Sequence, residues 1–259
     1  MKQVIYPIKE ELKKVQGNMN RHFNIKAGYL GDFAHLELCQ LNSILRPVLV
    51  ILSAGMFGKI TDRVISLAGV LQYIYLASCI HKGINEDIEI TQAPTGDPRD
   101  GCQFPVLVGD YFYGRFFTSL CDAGIVDYLR PLAEMICVIN EGGVIRLRNS
   151  GSTGINPSPG RELVRKETAE MLASCCRLGA RLNGAGGQQQ ETLGRFGVSF
   201  GIALGLMEQG NSFEEQAVVY LREALPELDK LPPGPNRTAL KELVGLFLRR
   251  EVSLERMVG

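Results

Sequence analysis

The stretch LQYIYLASCIHKGINEDIEI, Leu71 to Ile90, is apolar for two turns and then breaks into His81-Lys82-Gly83-Ile84-Asn85-Glu86. Its apolar residues continue a helical pattern that starts at Val64 and runs through Leu67, Leu71, Ile74 and Ser78, with Leu76, Cys79 and Ile80 beside them. A helix apolar on nearly every face belongs in the middle of a large bundle. One that ends on a histidine, a lysine and a glycine aims a polar tip at something specific, and the rest of the chain has to say what.

Outward from that helix the same spacing recurs. Segments 44–58, 105–121 and 196–207 are also apolar on nearly all faces, whereas 8–16 and 213–229 are amphipathic and are expected on the outside. Breakers separate the blocks: GYLGD at 28–32, APTGDPRDG at 93–101, NSGSTGINPSPG at 149–160, NGAGGQQQ at 183–190 and LPPGPN at 231–236. They divide the chain into about eight to ten helices. No stretch alternates like a strand for long, and neither an internal repeat nor a low-complexity linker marks a boundary. With 259 residues and 45% apolar content the chain can bury a sizeable core, so a single all-α domain over 1–259 is expected.

Lysine and arginine total 28, as do aspartate and glutamate, so no net field favours nucleic acid or an anionic membrane. The seven cysteines are odd in number, lack zinc-ligand spacing and include the adjacent pair Cys175-Cys176. They are expected to be free thiols in a reducing compartment, the cytoplasm. The N-terminal MKQVIYPIKEELKKVQ carries charges every few residues and is neither a signal peptide nor a membrane span, and the run PVLVILSAGMFG is too short to cross a bilayer. A soluble protein is expected.

Four stretches, in order, resemble the trans-polyprenyl diphosphate synthases (polyprenyl synthetases, the isoprenoid synthase family): ILRPVLVILSA at 44–54, PVLVGDYFYGRFF at 105–117, INEGGVIRL at 139–147 and RFGVSFGIALGL at 195–206. The final VYLREALPELDKLPPGPNRTALKELVGLFLRRE is similar to that family's last helical pair, so the resemblance runs from about residue 8 to residue 251. It implies a single bundle of antiparallel helices around a deep central cavity, usually dimeric. It also implies two facing aspartate-rich boxes that hold magnesium against a diphosphate, because aspartates three or four apart share a helix face. The metal stabilises the departing diphosphate as the allylic cation forms.

Here the boxes are degenerate. Aligning the opening stretch with the family pattern puts Lys82, Gly83 and Glu86 where the three aspartates of the first box stand, and the second box reads Glu208, Gln209 and Ser212. The isopentenyl diphosphate element Gly-Lys-x-x-Arg corresponds to Asn42-Ser43-Ile44-Leu45-Arg46, its histidine to Tyr75, and the arginine pair after the first box to Ile90-Thr91. The Lys-Thr element of the allylic site corresponds to Glu167-Thr168, with Lys166 next door. A basic loop after the second box has no counterpart, since NSFEEQAVVY runs almost straight into the final helices.

No catalytic residue is therefore assigned, and no metal. Arg46, Tyr75, His81 and Lys166 are candidate diphosphate or cavity contacts, each with a plainer alternative: Arg46 as a structural arginine and His81 as a capping or core histidine. Asp110 fits a ligand or, more commonly, a carboxylate bonded to backbone amides. Tyr111, Phe112, Tyr113, Phe116 and Phe117 fit a core or a subunit interface better than a tunnel wall, and the glycine- and serine-rich 149–160 loop lacks the ending of a phosphate loop. Small Ala77 and Ser78 sit where the family sets product length by bulk.

Two readings follow. In the first, the chain is a non-catalytic or regulatory subunit of a heteromeric synthase, paired with a catalytic synthase or homodimeric in isolation, and meets magnesium only through that partner. In the second, it is a self-contained enzyme or isoprenoid- or diphosphate-binding protein with altered chemistry in the same cavity, using His81, Lys82, Glu86, Glu208 and Gln209. Residual prenyl transfer through Glu86 and Glu208 alone would lose many decades of rate.

Overall fold

A computed structural model describes residues 2–36, 41–84, 99, 102–150, 159–210 and 213–249. The chain folds as an all-helical bundle. Helices α1 (Lys2–Ile5) and α2 (Lys9–Phe23) lead into a two-residue hairpin, β1 (Asn24–Ile25) with β2 (Gly28–Tyr29), and a single turn α3 (Leu30–Phe33). Then follow α4 (Leu45–Gly55), α5 (Asp62–Lys82), α6 (Gln103–Asp122), α7 (Leu129–Ser150) and α8 (Pro159–Val164). A π-helical turn, Arg165–Ala169, joins α8 to α9 (Glu170–Leu182), and α10 (Gly187–Glu208), α11 (Glu214–Asp229) and α12 (Pro235–Leu248) complete the bundle.

The centre is α4, α5, α9 and α10. Every residue of α4 from Leu45 to Ala54 is buried, and α5 buries thirteen of its residues. By length and composition α5 could cross a membrane, with a mean hydropathy of 1.6, but 72% of that window is covered by neighbouring helices. Each fully buried leucine or phenylalanine adds about 1.5–3 kcal/mol to the core. Close approach rests on glycine: a Cβ at Gly197 of α10 would meet Ala173 Cα at 2.5 Å, one at Gly201 would meet Ala169 Cα at 2.5 Å, and one at Gly179 of α9 would meet Val50 O at 2.6 Å. The amphipathic ends lie outside as their spacing predicts. Helix α2 buries Leu12, Val15, Met19 and Phe23, and α11 buries Ala217, Leu221, Ala224 and Leu228.

Side chains from just past α9 and from the first turn of α12 close the C-terminal end of α4, whose last carbonyls have no partner within the helix. Asn183 Nδ2 donates to Ala54 O at 2.9 Å and to Lys59 O at 3.2 Å, while Asn236 Nδ2 donates to Gly55 O at 2.7 Å.

Three sequence expectations need correction. Segment 105–121 is not an interior helix: α6 buries Val108, Phe112, Phe116 and Leu120 but turns Leu107 and Phe117 to solvent at 65% and 51% exposure. Its aromatic run is accordingly divided, with Phe112 and Phe116 in the core and Phe117 outside. GYLGD is not a plain loop, because Gly28 at φ 135° closes the hairpin and Leu30 then enters α3. Helix α10 begins at Gly187, inside the 183–190 stretch expected as a breaker, its first turn fixed by the Gly186 N–H donating to Gln189 Oε1 at 2.9 Å.

Candidate functional site

Tyr75, Cys79 and Lys82 lie four and three residues apart and so share one face of α5. Arg46, at the start of α4, stacks its guanidinium on the Tyr75 ring with 3.4 Å to the centroid. It is only 4% exposed, and its Nη1 donates to Asn42 Oδ1 at 3.2 Å and Asn42 O at 3.3 Å. Its Nε is buried without a hydrogen-bond partner among the described residues. Gln72, one turn back on α5, donates Nε2 to Asn42 O at 3.1 Å. Burial pushes the Tyr75 hydroxyl well above its ordinary pKa, against the pull of Arg46, and likewise raises the Cys79 thiol.

The tip of α5 carries the opening lysine. Lys82 forms an ion pair with Glu167 of the π-helical turn. The other oxygen of the same carboxylate takes the Arg146 Nε of α7 at 3.2 Å. Lys166, beside it, pairs with Glu141 Oε2 of α7 at 2.9 Å. Two consecutive residues of the π-turn thus both reach α7. Gly142 makes room for them, since a Cβ there would sit 2.8 Å from Glu167 Cγ and 3.1 Å from Lys166 Cβ.

Glu208 is the last residue of α10. Desolvation raises its carboxyl pKa, Arg46 and Lys82 pull it down, and Glu167 pushes it up again, although the side chain keeps an open side to water. Arg46, Lys82, Glu167 and Glu208 therefore share one electrostatic environment: two cations and two carboxylates from α4, α5, the π-turn and α10.

The other candidate residues fall elsewhere. His81 packs against α6, its Nε2 3.4 Å from Val106 O and 3.4 Å from Asp110 Oδ1, its ring 5.7 Å from that of Tyr113. A Cβ at Gly109 would land 2.2 Å from His81 Nε2, so the histidine is seated on a glycine of α6, away from the cluster around Lys82. Gly83 ends α5, its N–H bonding to Cys79 O and Ile80 O at 3.1 Å each. Gln209, just past α10, faces Gly160 of α8, where an added Cβ would lie 3.7 Å from Gln209 Oε1. Glu86, Ser212, Ile90-Thr91 and most of the 149–160 loop lie outside the described residues.

Magnesium does not fit the box positions that are described. No group of three or more histidine, cysteine, aspartate or glutamate residues able to hold a metal occurs among the described residues. Lys82 instead brings a cation of its own, and at about 4 Å two unit charges repel by roughly 4 kcal/mol at an effective dielectric of 20. The sequence reading missed Arg146 and Glu141 as members of the cluster. It noted the lysine gained at 82 and the glutamate gained at 167, but not that the two exchanges are complementary.

An all-helical bundle with two helix tips converging on such a cluster has the isoprenoid synthase architecture. A decaprenyl diphosphate synthase from Rhodobacter capsulatus superposes with a TM-score of 0.81 at 19% identity, over 96% of this chain and 99% of that one. The chain belongs to the polyprenyl synthetase family, whose model matches residues 43–207. Among curated relatives, the octaprenyl diphosphate synthase of Escherichia coli K12 is 24% identical over 165 residues, 63% of this chain and 51% of that protein. Heptaprenyl diphosphate synthase component 2 of Geobacillus stearothermophilus is 26% identical over 180 residues, 69% of this chain and 56% of that protein. The chain thus spans about half the length of the curated relatives it matches.

Proposed function

We propose that this polyprenyl synthetase is a non-catalytic or regulatory subunit of a heteromeric trans-polyprenyl diphosphate synthase. The observation that carries this reading is the Lys82–Glu167 pair. The resemblance puts an anionic metal ligand at 82 and a cationic diphosphate ligand at 167; here the charges are exchanged and satisfy each other. Arg146 completes the neutralisation of Glu167, and Lys166 is taken by Glu141. Binding substrate at these positions would require breaking ion pairs that the chain makes internally.

The outer surface supports a partner. Leu107 and Phe117 on α6 and Val144 and Leu147 on α7 are large apolar residues between 51% and 66% exposed. On α6 the outward row also carries Asp110, Gly114 and Cys121, and on α7 Ala133, Cys137, Asn140 and Glu141. Large exposed apolar side chains rimmed by polar ones favour association. That one relative is itself named as component 2 of a heptaprenyl diphosphate synthase points the same way. An intact-box synthase is the partner expected, with a homodimer in its absence, and the six described cysteines, all free, suit the cytoplasm.

A second reading has one observation in its favour. The unpartnered Arg46 Nε, buried beside Tyr75, suits a protein that binds a diphosphate or another anion on its own.

The test is prenyl transfer from farnesyl diphosphate and labelled isopentenyl diphosphate with magnesium, by this chain alone and mixed with an intact-box synthase from the same cell. Activity or altered product length only in the mixture, with a co-eluting complex that Leu107→Asp/Phe117→Asp abolishes, is expected. Turnover by the chain alone would overturn the subunit reading.

A further inference from the structure

A cavity of about 460 Å³ opens between α2, the first half of α5 and the last half of α6. That volume lies within the about 300–1,000 Å³ range of small-molecule sites. It is separate from the cluster at Lys82: of its α5 lining residues Tyr73 comes nearest, nine residues from Lys82, about 14 Å along the helix.

Its apolar lining is Val15 and Met19 of α2 and Ile65 of α5. The rest of the lining is polar or charged. Arg115 Nη2 lies 2.5 Å from His22 Nε2, and His22 Nδ1 lies 2.6 Å from Tyr73 Oη. A guanidinium can only donate, so His22 Nε2 accepts, Nδ1 carries the proton, and Tyr73 accepts it. The tyrosine's own O–H is then left to donate. Burial, Arg115 and Arg21 all lower the His22 pKa, against Asp122, which keeps the ring neutral; burial also pushes the Tyr73 hydroxyl up to about 12.

The arginines that line the cavity are bound to uncharged acceptors. Arg21 donates to Asn18 Oδ1 at 2.6 Å and Gly17 O at 3.3 Å, and Arg63 donates to Gly124 O at 3.0 Å. Arg115 meets the neutral His22, and its Nε is buried with no partner among the described residues. Asp62 and Asp122 also face the cavity. Three guanidiniums against two carboxylates leave a single positive charge in a lining that also holds Val15, Met19 and Ile65.

We propose that this cavity binds an amphipathic monocarboxylate, its apolar body against Val15, Met19 and Ile65 and its carboxylate among Arg21, Arg63 and Arg115. The occupant has one negative charge because the site has one uncompensated positive charge. The Tyr73 hydroxyl supplies a neutral donor at the same end. This site does not depend on the subunit reading, and the outcome of the prenyl-transfer assay leaves it untouched.

The experiment is titration of this 259-residue chain with sodium octanoate and with 1-octanol, by calorimetry and by NMR of the His22 imidazole. Saturable octanoate binding at one per chain is expected, with a higher His22 titration midpoint because a nearby carboxylate favours the imidazolium. Arg63→Ala and Arg21→Ala, both at exposed side chains, should each weaken binding by up to about fivefold without changing the fold. Absence of saturable binding, equal binding of 1-octanol, or indifference to both substitutions would overturn the proposal.

Discussion

Helices α6 and α10 are made of nearly the same materials and end in different places. They have 20 and 22 residues, each rich in phenylalanine, branched aliphatics and glycine. In α10 both phenylalanines are fully buried, and Gly197 and Gly201 lie against the backbone of α9 and of the π-turn before it. In α6 Phe117 stands 51% exposed, and a Cβ at Gly114 would meet nothing within 4 Å. Apolar density predicts that a face will be covered; it does not say whether the chain's own helices or another molecule will cover it.

The comparison breaks most readily on α10. Phe200 packs between Phe196, ring centroids 5.7 Å apart, and Phe247, 5.5 Å away edge-on. Phe200→Ala should destabilise the fold by about 3–5 kcal/mol through lost burial and the cavity left behind. Gly197→Ala should cost about 1–3 kcal/mol even though it adds one methyl, because Ala173 backbone must move to admit it. Urea unfolding followed by circular dichroism measures both. A loss below about 0.5 kcal/mol in either would mean that α10 is packed more loosely than these contacts require.

On α6 the same side chain should give a different result. Phe117→Ala should leave the unfolding free energy of the dissociated chain within about 0.5 kcal/mol, as for an ordinary surface position. It should weaken association at least as measured by sedimentation equilibrium, since an aromatic anchor in an interface carries a disproportionate share of the binding energy. A large stability loss with no change in association would place Phe117 in the chain's own core and remove the contrast.

The sequence made the framework legible because helical periodicity is local. Val64 to Ile80 spells out α5, and the spacings of α2 and α11 mark their inner faces. The candidate site was legible in part: Lys82 stands out as a cation in an aspartate position, and Glu167 as an acid in a lysine position. Their pairing was not, because 85 residues separate them and nothing in either local pattern refers to the other. Arg146 and Glu141 were hidden for the same reason, inside a motif whose visible signal, EGG, reports only the close approach that Gly142 allows. The division of α6 between core and surface was equally unreadable, since one apolar pattern serves a helix covered on all sides and a helix covered on one.

The smallest effect is the most discriminating, because its sign is at stake. Gly114 sits in the interior of α6 with open space where its side chain would be. Alanine there restricts the unfolded chain and favours the helix, so Gly114→Ala should stabilise the dissociated protein by about 0.5–1 kcal/mol. Gly197→Ala on α10 moves stability the other way by the same chemical change. If α6 packs closely on a partner through Leu107, Gly114 and Phe117, the added methyl also stands between the two surfaces. The variant should then unfold later as a single chain yet associate more weakly, a combination that packing within one chain does not produce. Stabilisation without weaker association would show that the partner's contact avoids Gly114 and runs along the Leu107 end or α7. Destabilisation of the dissociated chain would show instead that another part of the protein covers this face, and the distinction between α6 and α10 would fall.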